Sequence, residues 1–229
     1  MFTAFPTNRI EKGRSSLENT GTRLEQEFIG EVDTTQYKEL AYAFLHKEKA
    51  KEGETQDEKF ERMLNLKEAA QKEFENTLDL ADRSKYIDFK NSTKLVEQSQ
   101  IGNPEKPTRF FAAALHNYVK NRFEEKYILK FFTATGGTHL DVVHGVDGFF
   151  KLYDKKSGEE LAMATIDLTK NTAKDKARAD VLISIDQDDL EKYDPSKNNK
   201  NFDKEFFNEK IAKYSETIIQ ALIENYQSR

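Results

Sequence analysis

The sequence contains no cysteine, which excludes disulfide bonds and zinc sites built on thiolates. It also has no apolar run long enough for a secretory signal peptide or for a membrane-spanning helix. These absences lead us to expect a soluble protein that works inside a cell, in the cytoplasm. A viral protein acting in its host cell would fit the same expectation.

The sequence lacks an excess of basic residues, because its formal net charge is −5 at pH 7. This balance argues against a large basic surface for nucleic acid without excluding it, and any such binding must come from a local patch. Two catalytic motifs are missing as well. The pair Gly136-Gly137 lacks the spaced glycines and the lysine of a phosphate-binding P-loop, and no GxSxG nucleophile motif occurs.

The chain does have enough apolar side chains to build a core. Hydrophobic residues make up 37% of it, and 17 Phe and 9 Tyr are among them, whereas charged residues make up 34%. This balance predicts a folded protein with a heavily charged surface rather than a disordered chain. A length of 229 residues suffices for one large domain or two small ones.

Apolar spacing divides the chain into two regions. Residues 34–53 and 55–81 each carry an apolar stripe at helical spacing, which predicts two helices packed against each other. Residues 85–107 resemble a connection, because Gly102, Pro104 and Pro107 break helices. We therefore predict a helical region over residues 1–106 and a second region over residues 107–229.

The second region mixes helices and strands. We predict a helix over 107–132, a hairpin over 145–171 that turns at DKKSGE, a strand over 178–186 and a helix over 202–227. This order favours an α/β fold in which helices cover a mixed sheet of three or four strands. The step from the hairpin to the next strand predicts a parallel pair.

Asp147 and Asp167 are equally distant from the turn of the predicted hairpin. Residues in such positions face each other across antiparallel strands, with Cβ atoms roughly 4.5–5.5 Å apart. Two carboxylates at that distance repel each other unless a divalent cation lies between them or both face water. Asp167 continues one face of a strand that is apolar on both sides, so the pattern favours a metal site.

His139, Asp141 and His144 form a second group of metal-ligand residue types. If this segment were a strand, alternation would direct His139 and Asp141 to one side and His144 to the other. Three convergent ligands, which zinc requires, would then be lacking.

Three short motifs, FEEKY (123–127), HGVDGFF (144–150) and TIDLTKN (165–171), occur in that order. Together with the predicted elements, residues 107–190 resemble the PD-(D/E)xK nuclease superfamily. The resemblance implies a restriction-endonuclease-like domain that binds magnesium or manganese. It implies Asp147 and Asp167 as metal ligands, and Glu125, with Glu124 as the alternative, as a third acid on a helix.

The resemblance also implies a lysine two residues after the second aspartate, where this sequence has Thr169. Lys170 could take that role if the strand end bulges, and Lys174 could reach in from the following turn. Lys170 and Lys174 also belong, with Lys176 and Arg178, to a basic patch that could bind a phosphate backbone.

The function that the resemblance implies is a magnesium-dependent nuclease, an endonuclease acting on DNA. Paired cuts across a duplex would require a homodimer. The first alternative is the same fold without catalysis, binding nucleic acid or a protein partner, which Thr169 favours. The second is a viral or mobile-element interaction protein whose helical region, 1–106, carries the function.

Overall fold

The computed structural model describes residues 21–47, 53–74, 85–170, 178–196 and 199–228. These residues form a four-stranded sheet covered by helices, an α/β architecture as predicted. The strands are β1 (Tyr127–Thr133), β2 (Gly148–Asp154), β3 (Glu160–Thr169) and β4 (Val181–Ser184). The helices are α1 (Gly21–Ile29), α2 (Thr34–Leu45), α3 (Gln56–Glu73), α4 (Phe89–Gln98), α5 (Phe110–Lys120), α6 (His139–Val142), α7 (Leu190–Tyr193) and α8 (Lys204–Gln227). Within these ranges, none of the helices is long and apolar enough to cross a membrane.

The sheet is mixed, with the strands in the order β1-β2-β3-β4. β2 runs antiparallel to β1 and to β3, whereas β3 and β4 are parallel. The predicted parallel crossover after the hairpin is therefore confirmed. Strand β3 is central, which agrees with its apolar residues on both faces.

The hairpin of β2 and β3 has the register that its sequence predicts. Gly148 pairs with Ile166 and Phe149 pairs with Thr165. One further step along the same register brings Asp147 opposite Asp167. Side chains alternate along a strand, so both acids lie on the sheet face that also carries Phe149 and Thr165.

The prediction of one helix over residues 107–132 is wrong beyond Lys120, where α5 ends. Residues 127–133 instead form strand β1, because Tyr, Ile, Phe and Thr favour strands and Leu129 and Phe131 point alternately into the core. Glu125 consequently lies exposed in the turn before β1 and not on a helix.

Each face of the sheet has its own hydrophobic core. Helices α1, α5 and α8 cover the first face, where Leu24, Leu115 and Ile218 meet Phe150 and Ile166. Helices α2, α4 and α6 cover the second face, and their buried residues include Tyr37, Val96 and Leu140. The N-terminal helices thus contribute to both cores. Each core contains residues from before and from after the boundary predicted at residue 106.

Residues 85–107, predicted as a connection, contain helix α4. Its N-cap is Asp88, whose carboxylate accepts a hydrogen bond from Asn91 N, and its buried face includes Leu95 and Val96. Helices α2 and α3 confirm the two predicted helices in part: α2 ends at Leu45, short of the predicted residue 53, and the prediction for residues 75–81 falls outside the described residues. Asp33 caps α2, while Thr55 and Glu58 form a capping box at the start of α3.

Candidate metal centre

The candidate centre lies at the edge of the sheet where β1 and β3 end and β2 begins. Asp147 directly precedes β2, and its backbone forms hydrogen bonds with both neighbouring segments. Asp147 N donates to Ile166 O of β3 (2.9 Å), and Ala134 N, directly after β1, donates to Asp147 O (2.7 Å). Its side chain is 5% exposed, and its Oδ2 atom accepts from Leu168 N at 2.6 Å. The position of this carboxylate is therefore fixed by the sheet itself.

Helix α6 brings a second acid, Asp141, to this edge. Thr138 caps the helix, since its hydroxyl donates to Ala134 O (2.6 Å) and accepts from Asp141 N (3.2 Å). The loop then turns back, with Gly145 N donating to Asp141 O at 3.0 Å. Because α6 begins just after β1 and ends just before β2, Asp141 and Asp147 are drawn together.

The environment of Asp141 disfavours its charged form. Burial raises the pKa of the Asp141 carboxyl to about 6, and the nearby charge of Asp167 acts in the same direction. Hydrogen bonds from Gly137 N and Gly136 N oppose the rise in this pKa. Buried acids with a raised pKa of this kind occur most often at functional sites.

Helix α1 supplies a third acid, Glu25, which is half-buried. Leu24 and Ile29 anchor the helix in the first core. The chain after the helix is fixed at Gly30, whose carbonyl accepts hydrogen bonds from the hydroxyls of Thr133 (3.0 Å) and Thr135 (2.5 Å). These bonds join the end of α1 to the end of β1.

Glu25, Asp141 and Asp147 each present a carboxylate oxygen, and the three oxygens lie within 4.8 Å of one another. Two oxygens bound to one ion can be at most twice the metal–oxygen distance apart, which is about 4.2 Å for Mg²⁺ and about 5.2 Å for Ca²⁺. A spacing of up to 4.8 Å lies within the limit for Ca²⁺, and a closure of the acids by about 0.6 Å brings it within the limit for Mg²⁺. The three acids could in this way hold one divalent ion. Bound cations would also offset the repulsion among three acids crowded at this edge.

Asp167 lies beside this group. It is 6% exposed and shares the sheet face of Asp147, and its charge acts on Asp141. Among the residues that the structure describes, however, Asp167 is outside the set whose oxygens all lie within 4.8 Å of one another. Of the predicted cross-strand pair, Asp147 therefore belongs to the group of three acids, and Asp167 lies beside that group.

The structure does not bring Glu125 to this edge. It precedes the first residue of β1, whereas Asp147 lies next to the last residue of that strand, since Thr133 pairs with Gly148. A strand rises about 3.3 Å per residue, so the length of β1 separates them. Glu124, its alternative, is exposed in the same turn.

The predicted basic residues have different outcomes. Lys170 directly follows β3 and is half-buried, next to Thr169. Arg178 lies against the α6–β2 loop, and its Nη1 atom donates to Val143 O at 2.7 Å. The predictions for Lys174 and Lys176 fall outside the residues that the structure describes.

The second predicted ligand group, His139, Asp141 and His144, is not a strand, because its first residues form helix α6. Its histidine nitrogens take part in hydrogen bonds: His139 Nδ1 with Tyr37 OH (2.9 Å), His139 Nε2 with Lys85 O (2.7 Å) and His144 Nε2 with Ile87 O (3.0 Å). Burial lowers the pKa of His139. Hydrogen bonds of both histidines therefore link α6 and the loop after it to α2 and to the segment before α4.

Sequence reasoning missed Glu25 as a site residue and assigned Asp141 to the wrong group. The pattern Thr138-x-x-Asp141 is an N-cap signature that could have revealed α6. Leu24, Phe28 and Ile29 have the spacing of a short amphipathic helix that would expose the α1 acids.

Comparisons of the chain with protein-family models, curated proteins and solved structures give no match.

Proposed function

We propose that the protein is a divalent-metal-dependent nuclease that hydrolyses phosphodiester bonds, with DNA as the expected substrate. The observation that supports this proposal most is the convergence of Glu25, Asp141 and Asp147 within 4.8 Å. Carboxylate oxygens are hard ligands of the kind that magnesium and manganese prefer. Magnesium binds few protein ligands and keeps several waters, so three acids suffice.

In this proposal, Glu25, Asp141 and Asp147 hold the ion. When bound, the ion lowers the pKa of water and neutralises charge on the scissile phosphate. Asp167, adjacent to the three acids, accepts a proton from the water that attacks phosphorus. The bond from phosphorus to the leaving oxygen then breaks, and that oxygen takes up a proton from solvent water. Lys170, at the end of β3, stabilises the charge that develops on the phosphate. Lys174 is the alternative for that role.

The fold supports the resemblance to PD-(D/E)xK nucleases in two respects. An acid precedes β2 and another lies near the end of β3, as the resemblance implies for Asp147 and Asp167. A helix also contributes an acid, but that acid is Glu25 on α1 rather than Glu125. Asp141 is a further acid for which the resemblance gives no counterpart.

The second candidate function is binding of nucleic acid without cleavage. The observation that favours it is Thr169, which occupies the last position of β3, where the resemblance implies a lysine. A threonine hydroxyl could hold a water, but it supplies no positive charge. Measuring cleavage and binding on the same samples separates the two functions.

The test is a cleavage assay on single-stranded and duplex DNA and RNA with Mg²⁺, Mn²⁺ or EDTA. We expect metal-dependent cleavage by the natural protein. Glu25→Gln and Asp147→Asn should each lower the rate more than about 100-fold, because a lost carboxylate ligand removes several kcal/mol of charge stabilisation. Glu125→Gln is the matched control and should cleave like the natural protein.

Comparison of Glu25→Gln with Glu125→Gln shows which glutamate is the third metal ligand. The structure favours Glu25, and the resemblance read from the sequence favours Glu125. Loss of cleavage in Glu125→Gln alone would contradict the metal centre described above. Binding of nucleic acid without cleavage under every metal condition would instead support the second candidate function.

A further inference from the structure

Two aromatic side chains are exposed on the segment that leads into α4, which reads KYIDFK from Lys85 to Lys90. Tyr86 is 55% exposed and Phe89 is 36% exposed, although Ile87 between them is fully buried. Ile87 anchors the segment in the second core, so both rings are held at the surface. Large exposed aromatic groups held in this way are typical of binding sites.

His144 connects these rings to the candidate metal centre. Its ring centroid is 5.5 Å from that of Phe89, at an interplanar angle of 89°, and 5.9 Å from that of Tyr86. The bond from its Nε2 atom to Ile87 O (3.0 Å) fixes this arrangement. We call Tyr86, Phe89 and His144 the aromatic platform.

The aromatic platform is close to the three acids along the chain. His144 is three residues from Asp141 and three residues from Asp147, and three residues span at most about 11 Å. In the short sequence HGVD, the first residue, His144, belongs to the aromatic platform, and the last, Asp147, carries one of the three carboxylates. A ligand that touches the platform could also reach the acids.

Two basic side chains lie near residues of the aromatic platform. The aliphatic part of Arg178 lies over Gly145, where a Cβ atom would be 3.6 Å from Arg178 Cδ. Its guanidinium group reaches Val143 O, beside His144. Lys90 is exposed next to Phe89. The carboxylate of Asp88, in the same segment, accepts hydrogen bonds from Asn91 N (3.1 Å) and Asn91 Nδ2 (2.5 Å).

We infer that the substrate is a single-stranded nucleic acid, or the unpaired end of a longer one, whose bases stack on Tyr86 and Phe89. This inference rests on the proposed function. Stacking on aromatic side chains requires unpaired bases, because the bases of a duplex are already stacked on each other. Arg178 binds the backbone next to the stacked bases, and the strand continues to Glu25, Asp141 and Asp147.

The charges of this surface favour a nucleic acid over an apolar protein partner. Near the rings lie the basic residues Lys85, Lys90 and Arg178 and one exposed acid, Asp88, so the formal charge of these four groups is +2. Aromatic rings combined with net positive charge are typical of sites for single strands. An apolar partner would instead require these charges to be desolvated without compensation.

The test measures binding by fluorescence anisotropy with labelled single-stranded DNA, single-stranded RNA and duplex DNA, with Ca²⁺ in place of Mg²⁺. We expect the single strands to bind more tightly than the duplex. Tyr86→Ala and Phe89→Ala should each weaken single-strand binding roughly tenfold, and the double variant should weaken it further. Comparison of the DNA and RNA strands identifies the sugar that the site accepts.

Tyr226→Ala is the matched control, since Tyr226 is 53% exposed on α8, a helix of the first core. This variant should bind all three ligands like the natural protein. Equal loss of affinity in Tyr226→Ala and Tyr86→Ala, or tighter binding of the duplex, would overturn the inference.

Cleavage by the same variants distinguishes a failure of this inference from a failure of the proposed function. Metal-dependent cleavage that is insensitive to Tyr86→Ala and Phe89→Ala would overturn the stacking site and leave the nuclease proposal intact. Single-strand binding that depends on both rings, without cleavage under any metal condition, would support the stacking site and contradict the nuclease proposal.

Discussion

At the scale of single residues, two acids at the candidate centre can be paired from the sequence alone. The other two reach it only through the fold. Asp147 and Asp167 could be paired from the sequence, because a hairpin with a clear turn fixes its own register. Residue type and nearness in the chain group Asp141 with two histidines, whereas the fold places its carboxylate beside those of Glu25 and Asp147. Glu25 is far from the other acids in the chain, and no local rule relates it to them.

Asp141 provides a prediction about stability. In the metal-free protein its pKa is raised to about 6 from the ordinary value of 3.8, so the folded state binds a proton more tightly than the unfolded state does. Stability should therefore fall as pH rises from about 4 to about 6 and stay lower above that. Asp141→Asn, which removes the charge, should be about 1–3 kcal/mol more stable than the natural protein at pH 7.

Urea unfolding in EDTA at pH 5 and pH 7 measures this effect. The gain in the free energy of unfolding should be larger at pH 7 than at pH 5. An Asp141→Asn protein that is less stable than the natural one at pH 7 would show that the charged carboxylate is well accommodated without an ion.

At the scale of elements, periodicity identified α2, α3, α8 and the hairpin, which have clear caps or alternation. It failed at β1, because apolar residues from Phe111 to Phe132 also fit a helical spacing and the break at residues 121–126 contains neither glycine nor proline. It also failed at α4, where the prolines that follow the helix were given more weight than its cap, Asp88.

The junction of α1 with β1 provides a prediction at this scale. Gly30 O accepts hydrogen bonds from the hydroxyls of Thr133 and Thr135, and these bonds fix the helix that carries Glu25. Thr135→Val keeps the shape of the side chain but removes one donor, so stability should fall by about 1 kcal/mol. Metal affinity should fall as well, although no acid has been altered.

Calorimetric titration of Mn²⁺ into Thr135→Val and the natural protein measures that loss of affinity. Thr217→Val is a suitable control, because Thr217 is an exposed residue of α8 whose hydroxyl donates to Lys213 O of the same helix. Unchanged metal affinity in Thr135→Val would indicate that α1 is held in place without this bond.

At the scale of the whole molecule, the helices before residue 106 and the sheet after it share both hydrophobic cores. The candidate metal centre also combines the two regions, since Glu25 comes from the N-terminal region and the two aspartates come from the sheet region. A boundary placed at the proline-containing segment reflects local composition, which carries no information about packing between distant segments.

The shared cores predict that the protein unfolds as one unit. Circular dichroism and tyrosine fluorescence should report the same midpoint in urea. Mn²⁺ should shift both midpoints upward together, because the ion binds only the folded state. Two separate transitions, of which only one responds to Mn²⁺, would show that the helical region and the sheet fold independently.

The most direct test of the metal centre is anomalous diffraction from crystals of the protein soaked in Mn²⁺. We predict one strong peak within about 2.5 Å of carboxylate oxygens from Glu25, Asp141 and Asp147. The peak should be absent from crystals of Asp147→Asn. A fully occupied ion bound elsewhere, or no peak at this edge of the sheet at saturating Mn²⁺, would contradict the account.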